Sequence, residues 1–123
     1  MEKEKSFSIK KRLKSTNHAW RGLGLFLKNT HNLWIHIFFS LLAVYLGFIL
    51  EISNIEWVCI VFVIGLVFIT EAFNTAIEIN TDLTSSEYHP FARDTKDLSA
   101  GAVALSVIVA GIVGLIIFLP KIL

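Results

Sequence analysis

Residues 57–82 read WVCIVFVIGLVFITEAFNTAIEINTD, an apolar run from Trp57 to about Ile79 whose second half carries acids and amides. From Trp57 to Thr70 there is no charged side chain. The run is close to the ~20 residues that an α-helix needs to cross a ~30 Å hydrocarbon core. Two similar runs flank it. Leu33–Leu50, LWIHIFFSLLAVYLGFIL, has no acid, Lys or Arg, and a third extends from Leu98 to Leu119. In lipid only helices and closed barrels satisfy their own backbone groups, and these continuous runs lack the alternation of barrel strands. The expectation is an all-α membrane protein, one membrane domain over 1–123, with transmembrane helices at 33–50, 57–79 and 98–119.

Composition agrees. A chain of 123 residues has room for one domain at most. Its hydrophobic fraction is 54% and its charged fraction 17%, against the roughly 45–50% and ~25% usual in soluble domains. A disordered chain, a basic nucleic-acid-binding domain and an ordinary cytosolic enzyme are argued against, so no nucleic-acid partner is expected. The lone Cys59 excludes an intramolecular disulfide and any CxxC metal site. Residues 51–56 read as a short polar turn and 80–97 as a longer polar link containing Pro90, while Pro120 is expected to stop the third helix. The long basic N-terminal stretch does not read as a signal peptide.

Charge sets the expected orientation. Residues 1–32 hold eight of the eleven Lys and Arg: Lys3, Lys5, Lys10, Lys11, Arg12, Lys14, Arg21 and Lys28. The 51–56 turn has none, the 80–97 link has Arg93 and Lys96, and the C-terminus has Lys121. The N-terminus and the 80–97 link therefore face the cytoplasm, and the 51–56 turn and C-terminus face outside. Within the first 30 residues, Ile9, Leu13, Trp20, Leu23 and Leu27 share one helical arc and Lys10, Lys14, Arg21 and Lys28 another, with Arg12 breaking the pattern. Such an amphipathic helix lies at the interface, its cations near anionic lipid. It reads either as a simple anchor or as the floor of a site.

The segment ITEAFNTAIEINTD (69–82) carries the chemistry. Glu71, Asn74, Glu78 and Asp82 stand at i, i+3, i+7 and i+11, which at 3.6 residues per turn is one narrow stripe with Thr75 beside it. An ionised carboxylate at a helix centre costs roughly 2.5–3.5 kcal/mol on insertion scales. The aligned acids therefore face protein, water, a metal or each other. They read as helix-to-helix ties, as an ion or proton pathway, or as a chemical site at the membrane surface. Glu78 lies near the cytoplasmic interface and Glu71 a few turns deeper. A hard cation such as Mg2+ prefers carboxylate oxygens and brings phosphate with it, and a shielded carboxylate suits a general base. Metal, base and charge neutralisation are what phosphoryl transfer to an alcohol needs.

The link adds Glu87, Tyr88, His89, Lys96 and Asp97 on the cytoplasmic side. Lys96 is a partner for phosphate. Asp97 could fix that lysine, accept from a nucleotide hydroxyl, or cap the third helix. In the third span Ala102, Ser106, Ala110 and Gly114 form a small-residue ladder that permits close helix approach, within the chain or between copies. Because three helices enclose little of a pocket, a homo-oligomer is expected. No P-loop, GxSxG or zinc spacing occurs. His36 in the first span could meet a headgroup or make a helix-to-helix hydrogen bond.

The run Glu71-Ala-Phe-Asn-Thr-Ala-Ile-Glu78, then Asp82, Ser-Glu-Tyr-His-Pro90 and Lys96-Asp97-Leu-Ser-Ala-Gly-Ala-Val103 resembles the signature of the prokaryotic integral-membrane diacylglycerol kinase family, which includes the undecaprenol kinases. The likeness extends to Ala19-Trp20-Arg21-Gly22, to Asn32-x-x-Ile35-His36 and to the order of the spans. It implies a homotrimeric bundle in the inner (cytoplasmic) cell membrane, with sites shared between neighbouring subunits. It also implies Mg2+ with ATP as phosphoryl donor and a lipid alcohol as acceptor. Carried over by position, Glu71 is the general base and Asn74 orients the reacting groups. Glu78 is a metal ligand, and with Asp82, Glu87, Tyr88, His89, Lys96 and Asp97 lies on the nucleotide side.

One position departs from the family pattern. A second metal-binding Glu usually stands where this chain has Thr30, whose hydroxyl is a weak oxygen ligand without charge. Thr30 is the feature that favours the opposing class, a degenerate non-catalytic membrane assembly or an ion-conducting bundle that kept the fold. His18 likewise stands where the family often has an aromatic. His89-Pro90 and Ala100–Val103 look more like the undecaprenol kinase branch than the branch that makes phosphatidic acid from diacylglycerol.

Overall fold

A computed structural model describes residues 8–123; Lys3 and Lys5, counted above for orientation, lie outside the described residues. Four helices follow one another: α1 (Ile9–Asn29), α2 (Leu33–Ile49), α3 (Asn54–Thr84) and α4 (Pro90–Ile122). Among the described residues there is no strand.

The helix α1 starts where the Ser8 hydroxyl accepts from the Lys11 amide, and it ends at Thr30, whose N–H donates to Phe26 C=O. None of its residues is buried. Ile9, Leu13, Trp20, Leu23 and Leu27 are all exposed. Its hold on the bundle is near its end, where Phe26 meets Phe68 of α3 edge-on, ring centroids 6.4 Å apart. The chain then turns through 102° into α2.

The helices α3 and α4, with 31 and 33 residues, are each long and apolar enough to cross a membrane. The helix α2 covers all but one residue of the run expected at 33–50, yet its 17 residues extend only about 25 Å at 1.5 Å per residue. It reaches a span's length and hydropathy only together with α1, as a bent pair. At about 46 Å, α3 exceeds the ~30 Å core. Its final turns, from about Glu78 on, are the polar ones.

Hydropathy and the Pro120 position misplace four helix ends. The turn expected at 51–56 is shorter, because Asn54 already opens α3. Ser53 N–H donates to Glu56 Oε1 (2.9 Å), and Glu56 N–H donates to Ser53 Oγ (3.3 Å), a reciprocal cap. The link expected at 80–97 shrinks to residues 85–89, since α3 runs on to Thr84 and α4 begins at Pro90. Proline suits a first helical position because its φ is preset and its missing N–H has no partner there to lose. His89 is the cap, its Nδ1 accepting from Phe91 N–H at 3.1 Å. Asp97 therefore lies two turns inside the helix and is not its N-terminus. Nor does Pro120 stop α4, which continues to Ile122, with Leu123 N–H donating to Leu119 C=O.

The core lies toward the end that holds the α2–α3 turn, where Ile52, Ile60, Ile117 and Phe118 cluster with Trp57 and Leu46 packed against them. There α2 and α3 approach so closely that a Cβ on Gly47 would stand 2.6 Å from the Trp57 indole. Gly47→Ala is expected to destabilise by about 1–3 kcal/mol, the range for overpacking, read from thermal unfolding in detergent micelles. Lys121 Nζ closes this end on Glu56 Oε2 at 3.0 Å. The Ser53 amide, then Lys121, hold the Glu56 carboxyl below its ordinary value. Its stabilisation is therefore present above the usual carboxylate range and is lost as pH falls through the lowered value.

Candidate active site

Helical periodicity brings the acids of α3 to one side, and tertiary contacts divide them into three levels. The deepest is Glu71, 4% exposed. Its Oε1 lies 2.6 Å from His36 Nε2 of α2, a hydrogen bond between carboxyl and imidazole. Of the two roles left open for His36, the helix-to-helix bond is the one observed. A half-buried pairing of this kind satisfies both groups where water is scarce.

One turn on, the Ser99 hydroxyl of α4 donates to Asn74 Oδ1 at 2.6 Å, and Asn74 Nδ2 donates to Glu78 Oε1 at 3.3 Å. Asn74 is thus held from both sides, and Glu78 is half-buried beside it. Further along α3, Asp82 Oδ1 pairs with Lys96 Nζ of α4. That hydrogen bond raises the lysine's proton affinity above its ordinary value, outweighing partial desolvation. The ammonium stays charged through the neutral range, and what the pairing adds to stability persists until pH rises through the raised value. Asp97 does not fix Lys96: its Oδ2 faces Arg93 Nε at 3.8 Å, one helical turn back.

The Asp82–Lys96 pair borders a polar cleft of about 290 Å³ between the end of α3 and the start of α4. Asp82, Glu87, Tyr88, His89, Lys96 and Asp97 all line it, joined by Arg93 and Ser85. Glu71, Asn74 and Glu78 are not among its walls. They lie deeper along α3, Glu71 about 16 Å from Asp82 along the axis by helical rise.

Thr30 is buried, and its Oγ1 meets Thr75 Oγ1 at 2.8 Å. Its hydroxyl is thus engaged in tying the end of α1 to α3. Among the described residues no three or more His, Cys, Asp or Glu converge as a metal cage. Mg2+ does not require one, since it is commonly held by one or two carboxylates together with substrate phosphates. Glu78, whose hydrogen-bond partner is one amide at its Oε1, fits that lesser demand.

A second, apolar cavity of about 390 Å³ runs between α2, α3 and α4. Ile35, Phe39, Ile60, Val67 and Gly111 are among its walls, with His36 a polar member. Of the small-residue ladder, Ala110 lines this cavity, and Ser106 is buried with its Oγ 2.9 Å from Thr70 Oγ1. Ala102 remains exposed. At Ser106, then, the ladder serves packing within the chain.

Sequence reading missed Ser99 and Arg93. Ser99 was legible in principle: Lys96, Ser99 and Ser106 stand at i, i+3 and i+10 on α4, a polar stripe opposite that of α3. Arg93 carried no such sign, because only the start of α4 at Pro90 brings it to the cleft.

A helical membrane protein with a buried carboxylate, an amide-held carboxylate and a polar cleft of paired acids and bases in series carries the groups of a membrane enzyme. Residues 17–118 match the prokaryotic diacylglycerol kinase family, and the chain belongs to it. It is similar to the undecaprenol kinase of Bacillus subtilis (strain 168), 41% identical over 108 residues, 88% of each chain. It is also similar to the diacylglycerol kinase of Escherichia coli (strain K12), 33% identical over 98 residues, 80% of each chain. A third relative is the diacylglycerol kinase of Synechocystis, 36% identical over 112 residues, 90% of this chain and 64% of that one.

Proposed function

We propose that the protein transfers the γ-phosphoryl group of ATP to the hydroxyl of a membrane lipid alcohol, undecaprenol, at the cytoplasmic face of the inner membrane. The observation that carries this reading is the series along α3: buried Glu71, then Asn74 and Glu78, then Asp82 paired to Lys96 at the polar cleft. Family membership and the 41% identity to an undecaprenol kinase support the reaction and the acceptor.

The nucleotide occupies the polar cleft, with Lys96 and Arg93 placed to meet phosphate. Glu78 would hold Mg2+ together with the phosphates, and the ion would supply neutralisation of charge on the transferring group. The lipid enters from the bilayer, its chain along the apolar cavity. Glu71 accepts the hydroxyl proton as that oxygen attacks the γ-phosphorus; the new O–P bond forms, the bond to the bridging oxygen breaks, and ADP leaves. Asn74 orients the reacting groups, held by Ser99. The 102° bend and the exposed apolar arc of α1 support its lying along the interface. The cytoplasmic excess of Lys and Arg supports an inside N-terminus and an outside C-terminus. A homotrimer with sites shared between subunits fits a chain whose three long helices bury few residues.

Radiolabelled ATP, purified protein in micelles, and undecaprenol or diacylglycerol supplied separately make the test. Transfer to undecaprenol with the higher kcat/KM is expected. A preference for diacylglycerol would reassign the acceptor to that of the 33% identical relative. Transfer to neither lipid, with nucleotide bound, would favour the degenerate assembly that Thr30 raises.

A further inference from the structure

Resting on the assignment of Glu71 as base, we infer that His36 is the positioning residue of that base. The observation is the 2.6 Å contact between His36 Nε2 and Glu71 Oε1, with the two side chains only 14% and 6% exposed. A carboxylate rotates freely about its last bond unless a partner fixes it, and in a poorly hydrated site water is a weak candidate. No Lys or Arg occurs between Lys28 and Arg93, and His36 is the basic side chain within the three spans. Among the described residues His36 is the hydrogen-bond partner of the Glu71 carboxylate. With Oε1 held by the imidazole, Oε2 is left to accept the proton of the lipid hydroxyl.

The location of His36 adds a second reason. It lines the apolar cavity, whereas Glu71 does not appear among its walls. The imidazole thus stands where an apolar chain in that cavity approaches the carboxylate. Holding Glu71 from this side aligns the base with the arriving hydroxyl. A purely mechanical tie between α2 and α3 would use the same bond, but would not need to join the cavity wall to the base.

Two variants separate these roles. His36→Gln keeps an N–H near the Nε2 position, and His36→Leu fills similar space without a donor. At saturating lipid and MgATP, His36→Leu is expected to lose about tenfold or more in kcat with KM for MgATP unchanged. His36→Gln is expected to recover most of that loss. Residues acting as a unit are non-additive, so adding His36→Leu to Glu71→Gln is expected to lower kcat no further. Equal kcat for both His36 variants, or an additive double variant, would overturn the inference. So would a lost thermal transition with wild-type kcat in the folded fraction, which marks a structural tie alone. Should Glu71→Gln itself retain turnover, the base assignment fails instead, which is a separable result.

Discussion

Glu71→Gln is expected to lower kcat by about 10²–10⁴-fold, the range carried by a positioned general base, while KM for MgATP stays near its original value. Glutamine preserves the volume of the side chain and can still bond to His36. What it removes is the capacity to take a proton. The groups proposed to face the nucleotide should not notice, because Asp82, with Lys96 of α4 paired to it, lies about 16 Å further along α3. Steady-state kinetics in micelles, with nucleotide and lipid varied separately, checks both halves. Near-normal turnover would show that another group accepts the proton. A raised KM for MgATP with unchanged kcat would move Glu71 to the nucleotide side. The prediction is sharp because Glu71 is a carboxylate 4% exposed, with an imidazole as partner. A buried acid paired with no more than a histidine has a high cost unless it serves a purpose.

Glu78→Gln is expected to act on the other substrate. The amide keeps the size of the side chain and a hydrogen bond with Asn74 but brings no charge to a divalent cation. The expected result is a rise of about 10–100-fold in KM for MgATP, with a higher Mg2+ concentration needed for half-maximal rate and partial recovery of kcat when it is supplied. Thr30 makes the effect larger than a two-carboxylate site would show, since its hydroxyl is committed to Thr75 and brings no second charge. An unchanged Mg2+ requirement in Glu78→Gln would remove this residue from the metal. Titrating Mg2+ at fixed ATP, for wild type and variant, is the measurement.

Much of this site could be read along the chain because its parts obey a helical period. Glu71, Asn74, Glu78 and Asp82 share a face for any helix over 69–82, and α3 is that helix. The cluster at the α3–α4 junction was equally accessible: Glu87, Tyr88, His89, Lys96 and Asp97 lie close in sequence and line one cleft. Helix ends were not, because hydropathy records where a segment leaves lipid and not where its backbone bonding stops. Residues 80–84 and 90–97, mostly polar, therefore extend α3 and α4 into what composition alone reads as a link. With that extension Asp97 ceases to be a cap and pairs with Arg93, leaving Lys96 to Asp82.

By itself the sequence determined the helical membrane class, the order of the apolar segments and the polar face of α3, since each depends on local length, hydropathy and period. Which groups meet across helices was decided only by tertiary structure. His36 and Glu71 are 35 positions apart, Thr30 and Thr75 are 45 apart, and Asn74 and Ser99 are 25 apart. A one-residue rotation of α2, about 100° on the helical wheel, would separate the first pair and one of α4 the third, without changing a single hydropathy value. The packing of Trp57 on Gly47 and of Thr70 on Ser106 selects the rotation that joins them.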